Sequence, residues 1–161
     1  MASDSKKSLH GVCCLLMASL FALSTCFQFN DPDWYFWIPL YSSACIVNLV
    51  KWGEPNSSSR IRKLGKFGLW LGLFLFIKVA VEDLIYGGTT GFWSLDMRER
   101  VMREKFGSGL VVTSMFLVLE NSSISKNHPS HLTKYGMPIL VGIAYGLSFL
   151  FFASQHHEMR Y

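Results

Sequence analysis

Five segments of the chain are rich in apolar residues and nearly free of charge, and short polar segments separate them. A helix rises about 1.5 Å per residue and the hydrocarbon core of a bilayer is about 30 Å thick, so roughly 20 apolar residues suffice to cross it. The pattern therefore predicts an all-α fold, an integral membrane helical bundle of about five transmembrane helices. The predicted spans are 11–29, 34–50, 67–86, 106–120 and 135–155.

The fourth of these segments is the shortest, and whether it crosses fully is open. The stretch from Trp93 to Lys105 before it mixes apolar and charged side chains. Such a mixture suits a short amphipathic segment that lies in the membrane interface or rises through it. We expect either a separate interfacial helix or one that continues directly into the fourth span.

Lysine and arginine are unevenly distributed over the segments that connect the spans. With five crossings, one side carries nine of them and the other side five, whereas a fourth segment that does not cross would leave eight against six. Cytoplasmic loops hold the excess of positive residues. Five crossings give the cleaner asymmetry and predict a cytoplasmic N-terminus.

Composition leaves little room for anything besides this bundle. Of 161 residues, 50% are hydrophobic and 16% are charged, so residues 1–161 are interpreted as a single multi-pass membrane domain. The net charge of +4 comes from basic residues beside apolar runs, a distribution unlike that of a nucleic-acid-binding surface. The uncharged stretch from Ser8 to Asn30 exceeds the core of an ordinary signal peptide, which favours a retained first helix.

All four cysteines fall within the first two predicted spans, at positions 13, 14, 26 and 45. Their spacing forms neither a disulfide framework nor a CxxC metal motif. Cys13 and Cys14 are expected to act as small apolar packing residues, with reversible palmitoylation as the alternative.

Two pairs of glycines have the small-xxx-small spacing that lets helix backbones approach closely. Gly68 and Gly72 lie in the third span, and Gly142 and Gly146 lie in the fifth. Packing within the bundle is the favoured use. A membrane-protein partner or a second copy of the chain, bound through either pair, is the alternative, and the lipid bilayer is the partner that the composition itself predicts.

Polar residues cluster in the tight turn between the first two spans. Asp31 is expected to cap the second helix, Pro32 suits the first helical position, and Asp33 complements the helix dipole. The alternative is that Asn30, Asp31 and Asp33 form part of a site for a cation or a polar ligand, since oxygen atoms are suitable ligands for hard cations. The aromatic residues that follow fit an interfacial belt: Trp34, Tyr35, Trp37 and Tyr41.

Three charges interrupt the apolar third span, namely Lys78, Glu82 and Asp83. Charged residues at membrane depth are costly and commonly functional. Glu82 lies four residues after Lys78, on the same face of a helix, and a structural ion pair between them is the favoured interpretation. The alternative is that the three charges line a polar site or pathway reached through the Asp31/Asp33 hairpin.

A longer run of residues in the turn between the first two spans resembles the corresponding segment of a known family. Residues Gln28 to Asp33, followed by Trp37 and Tyr41, are similar to the first hairpin of transmembrane family 220. A second similarity begins with Arg103 and Glu104 and continues into the fourth span through Gly109-Leu110-Val111-Val112-Thr113, ending at Ser122-Ser123 and Lys126-Asn127. The resemblance covers about residues 10–155 and implies a small multi-pass membrane protein, with no particular biochemical activity attached.

The sequence indicates the function only in broad terms. No nucleophile, base and orienting group can be read from the sequence, so we expect no enzyme and no cofactor or metal. The favoured interpretation is a structural, assembly or regulatory membrane component. The alternative is a small transporter or channel subunit whose polar site is formed by the charges of the third span and the Asp31/Asp33 hairpin.

Overall fold

The computed structural model describes residues 2–30, 32–53, 59–91, 100–123 and 131–158, and their side chains over 9–29, 32–53, 59–85, 103–121 and 135–149. These ranges contain helices and no strand, which confirms the all-α class. The helices are α1 (Ala2–Phe27), α2 (Trp34–Gly53), α3 (Ser59–Gly91), α4 (Arg100–Ser123) and α5 (His131–Glu158). A 3₁₀ turn, Gln28–Asn30, follows α1.

All five helices extend beyond the apolar segments that predicted them, and the extensions of α3 and α4 bear on the site. α3 begins at Ser59, well before residue 67, because Arg, Lys and Leu residues with good helix propensity precede its apolar part. α4 begins at Arg100, so the described part of the predicted amphipathic segment continues directly into the fourth span. Residues 92–99 of that segment lie outside the described residues.

The helices run alternately up and down. Near one end of the bundle, Gly11 of α1 faces Trp52 of α2, and Gly65 of α3 faces Leu119 of α4. α1 contacts both α2 and α5, while α4 contacts α2, α3 and α5. We call this end the basic end, after its residues 47–53 and 59–66, and the opposite end, with residues 28–37, 82–85 and 103–107, the hairpin end.

The core lies mainly between α1, α2 and α4, with contributions from α3 and α5. Near the hairpin end the ring of Tyr41 stacks on Phe21 at a centroid distance of 6.3 Å and on Trp37 at 6.0 Å. Trp37 and Tyr41 are buried. Their assignment to an interfacial aromatic belt is therefore wrong, because these two positions face the bundle, whereas Trp34 and Tyr35 are exposed as expected.

Two of the five predicted spans have the length and composition that a membrane crossing requires. Among the described residues, Leu9–Phe27 and Ser59–Ile85 are long and apolar enough to cross a bilayer, each with a mean hydropathy of 1.8. Tyr135–Phe149 in α5 is apolar but shorter. The crossing of the bilayer by α2, α4 and α5 stays a prediction.

The two glycine pairs and the cysteines differ in whether they lie inside the bundle. An added Cβ at Gly68 would lie 3.1 Å from Ser43 Oγ, and one at Gly72 would lie 3.0 Å from Val112, so this pair packs inside the bundle as expected. Gly142 and Gly146 face open space. Cys13 and Cys14 are buried in the core, which confirms their role in packing, and all four cysteines are free.

Candidate functional site

The three charges of α3 lie on two faces of the helix. Lys78 and Glu82 have exposed side chains, whereas Asp83 is only 5% exposed. Successive residues of a helix are rotated by about 100°, so Glu82 and Asp83 cannot share a face. The large apolar side chains of α3 that are also exposed are Phe67, Trp70, Phe74, Ile77, Val81, Leu84 and Ile85.

The buried acid of α3 pairs with a lysine of α4. Lys105 donates a hydrogen bond to Asp83 Oδ2, and the two side chains are 12% and 5% exposed. No ion pair joins Lys78 to Glu82 in the described residues, so that predicted pairing is wrong. The sequence did contain a signal for the observed pair, because five crossings place Asp83 and Lys105 at the same end of the bundle.

The start of α4 packs closely against α2 beside this ion pair. Gly107 lies directly against the hydroxyl end of Tyr41, where a side chain would collide with the phenol ring. Ser108, which is buried, donates its hydroxyl to the backbone carbonyl of Glu104 at 2.7 Å. The absence of a side chain at Gly107 thus allows α4 to bring Lys105 to Asp83.

The turn between α1 and α2 is described in part. α2 begins at Trp34, where the second span was predicted to begin, but Pro32 and Asp33 form a turn before it, so Pro32 does not take the first helical position as expected. Asp33 thereby takes the N-cap position, and the N–H of Phe36 donates to its backbone carbonyl at 3.1 Å. Asp31 and the side chain of Asn30 lie outside the described residues, so the proposed capping by Asp31 and its role in a ligand site stay predictions.

One polar atom near this turn lacks a hydrogen bond. The side-chain oxygen Oε1 of Gln28 is buried and has no partner among the residues that the structure describes. A buried acceptor left without a donor is costly. Oε1 of Gln28 is therefore an acceptor that a donor from a ligand would satisfy.

A second polar contact joins α2 to α4 towards the basic end of the bundle. Asn48 and Ser114 are both fully buried, and the amide of Asn48 donates to Ser114 Oγ at 3.1 Å and to the carbonyl of Ala44 at 2.9 Å. All the buried polar residues of the described core have a protein partner, and they are Ser43, Asn48, Asp83, Ser108 and Ser114.

Truncating one member of this contact is expected to destabilise the bundle. Asn48→Ala leaves the Ser114 hydroxyl buried without its amide partner, which is expected to lower the free energy of unfolding by about 1–2 kcal/mol. The double variant with Asn48→Leu and Ser114→Ala removes both polar groups and should recover most of that loss. Chemical unfolding in detergent micelles measures both, and a double variant less stable than Asn48→Ala contradicts the expectation.

Sequence reasoning also missed a polar contact at the basic end. The amide of Asn121 donates to His10 Nε2, which leaves Nδ1 of the same ring to face Cys14 Sγ at 3.3 Å. This contact joins residues 111 positions apart, so no local pattern predicts it. Across the described side chains, no three His, Cys, Asp or Glu residues lie close enough together to hold a metal ion.

The chain was compared with known proteins. A family model described as "Transmembrane family 220, helix" matches residues 20–120. The match runs from α1 to α4 and includes both buried polar contacts between helices, Asp83 with Lys105 and Asn48 with Ser114. No solved structure matches the chain.

Proposed function

The chain belongs to transmembrane family 220, and on that premise we propose that it is a multi-pass membrane protein that acts as a structural, assembly or regulatory component of its membrane. In this proposal the protein has no catalytic activity of its own. The family match supports the membrane setting, and the two long apolar helices supply segments able to cross the bilayer.

One observation carries the proposal of a structural or regulatory role. Each buried polar residue of the described core is satisfied by another group of the protein, and the contacts Asp83–Lys105 and Asn48–Ser114 each join two helices. Buried polar groups that bind or transport a ligand need free donors or acceptors. Buried polar groups whose hydrogen bonds are made within the protein support a structural role, in which they fix the positions of the helices relative to one another.

The proposed arrangement has five crossings and a cytoplasmic N-terminus. The alternating direction of the helices supports it, because Lys51 at the end of α2 and the basic residues at the start of α3 lie at one end of the bundle. That end would face the cytoplasm, where positive residues are in excess.

A second candidate function is a small transporter or channel subunit. The specific observation in its favour is the unpartnered Oε1 of Gln28 at the hairpin end, the end that also holds the buried pair of Asp83 and Lys105. A ligand or cation entering between α1 and α2 would meet this oxygen. With so few helices, a conducting pathway would require several copies of the chain.

Cysteine accessibility tests the arrangement and separates the two functions. In a full-length variant without the native cysteines, Lys78→Cys and Asn121→Cys are labelled separately with a membrane-impermeant maleimide in cells. We expect Asn121→Cys, at the basic end, to react only after permeabilisation. Lys78→Cys should stay protected under both conditions, since its side chain extends from the apolar outer surface of α3.

Two results contradict these expectations. Labelling of Asn121→Cys in sealed cells would reverse the orientation. Labelling of Lys78→Cys as fast as Asn121→Cys after permeabilisation would place Lys78 in a water-filled pathway and favour the transporter. Labelling after denaturation in detergent is the control, because it shows that both cysteines are present and reactive.

A further inference from the structure

An open groove of about 430 Å³ lies along the first turns of α3, at the basic end. Its lining residues are Ser59, Arg62, Lys63 and Lys66. Their spacing of three and four residues places them on one face of the helix. Three cations therefore line the groove along one face of α3.

Among the described residues, no acidic side chain pairs with these three cations. Arg62, Lys63 and Lys66 are exposed, and within the described ranges none of them makes an ion pair or a hydrogen bond through its side chain. The first turn of α3 contains no acidic residue. Like charges held this close repel one another, so an anion in the groove would relieve the repulsion.

The groove opens onto the apolar surface of α3. Lys63 and Lys66 are followed on the same face by Phe67, Trp70 and Phe74, whose large side chains are all exposed. This part of α3 lies in the segment Ser59–Ile85 that is apolar enough to cross a bilayer. The change from basic to apolar side chains along one face matches the change from headgroup to acyl chain in a lipid.

We propose that this groove binds the phosphate-bearing headgroup of an anionic phospholipid, whose acyl chains lie along Phe67, Trp70 and Phe74. Arg62 has the planar fork of donors that suits two phosphate oxygens, and Lys63 and Lys66 add compact charges beside it. Inorganic phosphate offers the same oxyanion to the three cations. It has no acyl chain to cover the apolar stripe, so its affinity is lower. The site goes beyond the proposed function and holds in either membrane orientation.

Binding by the full-length chain in a mild non-ionic detergent tests the proposal. The probes are dioctanoyl phosphatidic acid, dioctanoyl phosphatidylcholine and inorganic phosphate, and native mass spectrometry gives the fraction bound. We expect phosphatidic acid to bind at least about tenfold more tightly than phosphatidylcholine, whose headgroup has no net charge, since each basic residue near an anionic surface contributes about fivefold. It should also bind more tightly than inorganic phosphate, because only the lipid has acyl chains that cover the apolar stripe. The triple variant with Arg62→Gln, Lys63→Gln and Lys66→Gln should lose about 100-fold in affinity.

Arg60→Gln is the matched control. Arg60 is exposed on the same turns of α3 but does not line the groove, so its loss should lower affinity by clearly less than the loss expected for Arg62→Gln, because it acts on the phosphate only through partly screened charge. The single variants Arg62→Gln and Lys63→Gln give the same comparison if the triple variant fails to fold, with an expected loss of about fivefold each.

Three results would overturn the proposal. Equal losses in Arg60→Gln and Arg62→Gln would show an effect of net charge without a site. Equal affinity for phosphatidic acid and phosphatidylcholine would remove the requirement for an anionic headgroup. Inorganic phosphate binding as tightly as phosphatidic acid would show a soluble anion to be the ligand, with no part for the apolar stripe.

Discussion

Lys105→Met is expected to lower the free energy of unfolding by about 3–5 kcal/mol, because it leaves a buried carboxylate without its counter-ion. Asp83 is 5% exposed, and the ammonium group of Lys105 is its partner in the described structure. Methionine keeps most of the length and apolar volume of lysine, so loss of packing contributes little. The measurement is chemical unfolding of the full-length chain in detergent micelles.

Two further variants separate the ion pair from a general effect of charge. Adding Asp83→Asn to Lys105→Met removes the unpaired charge and should restore a large part of the lost stability, because two uncharged side chains carry no desolvated ion. Lys78→Met removes a lysine from the exposed surface of α3 and should change stability by less than about 0.5 kcal/mol. If Lys105→Met and Lys78→Met prove equally stable, the buried pair does not hold α3 to α4.

The helices could be predicted from the sequence, because the period and length of apolar runs reflect local chemistry. The five apolar segments correspond to five helices, and the uncertain fourth one does continue from the amphipathic stretch before it. Helix ends were less accurate. Hydropathy marks the part of a helix that fits lipid, while α3 begins at Ser59 in a polar segment that hydropathy leaves out.

Partners of the charged residues were harder to predict, since they depend on how each helix is rotated in the bundle. Local spacing favoured Glu82 as the partner of Lys78, yet both side chains are exposed. Asp83 faces α4 and pairs with Lys105 across 22 positions of sequence. The spacing of residues within one helix does not reveal how that helix is rotated in the bundle. The rotation determines which of two neighbouring residues, Glu82 or Asp83, faces another helix.

The same limit explains the aromatic residues after the hairpin. Tryptophan and tyrosine near a helix end are typical of the membrane interface, which is correct for Trp34 and Tyr35. By spacing, Trp34, Trp37 and Tyr41 share one face of α2. Trp37 and Tyr41 are nevertheless buried, with the ring of Tyr41 stacked on Phe21 and on Trp37, while Trp34 at the start of the helix is exposed. Composition alone cannot separate a belt residue from a core residue; the facing helix decides.

Gly107→Ala is expected to lower the free energy of unfolding by about 2–3 kcal/mol, since the added methyl group would overlap the hydroxyl of Tyr41 and lie 3.1 Å from its Cζ atom. Tyr41 cannot easily move away, because it is 4% exposed and its ring is stacked between Phe21 and Trp37. α4 must then shift, which pulls Lys105 from Asp83. Chemical unfolding in the same micelles measures the effect.

Gly142→Ala is the matched control for this substitution, since a methyl group there meets open space and alanine favours a helix over glycine by up to about 1 kcal/mol. It should cause no loss of stability. Combining Gly107→Ala with Tyr41→Phe removes the overlapping hydroxyl, so a double-mutant cycle should show a positive coupling that recovers part of the loss. Equal stability of Gly107→Ala and Gly142→Ala would contradict the close approach of α4 to α2, and with it the reason why a glycine stands two residues after Lys105.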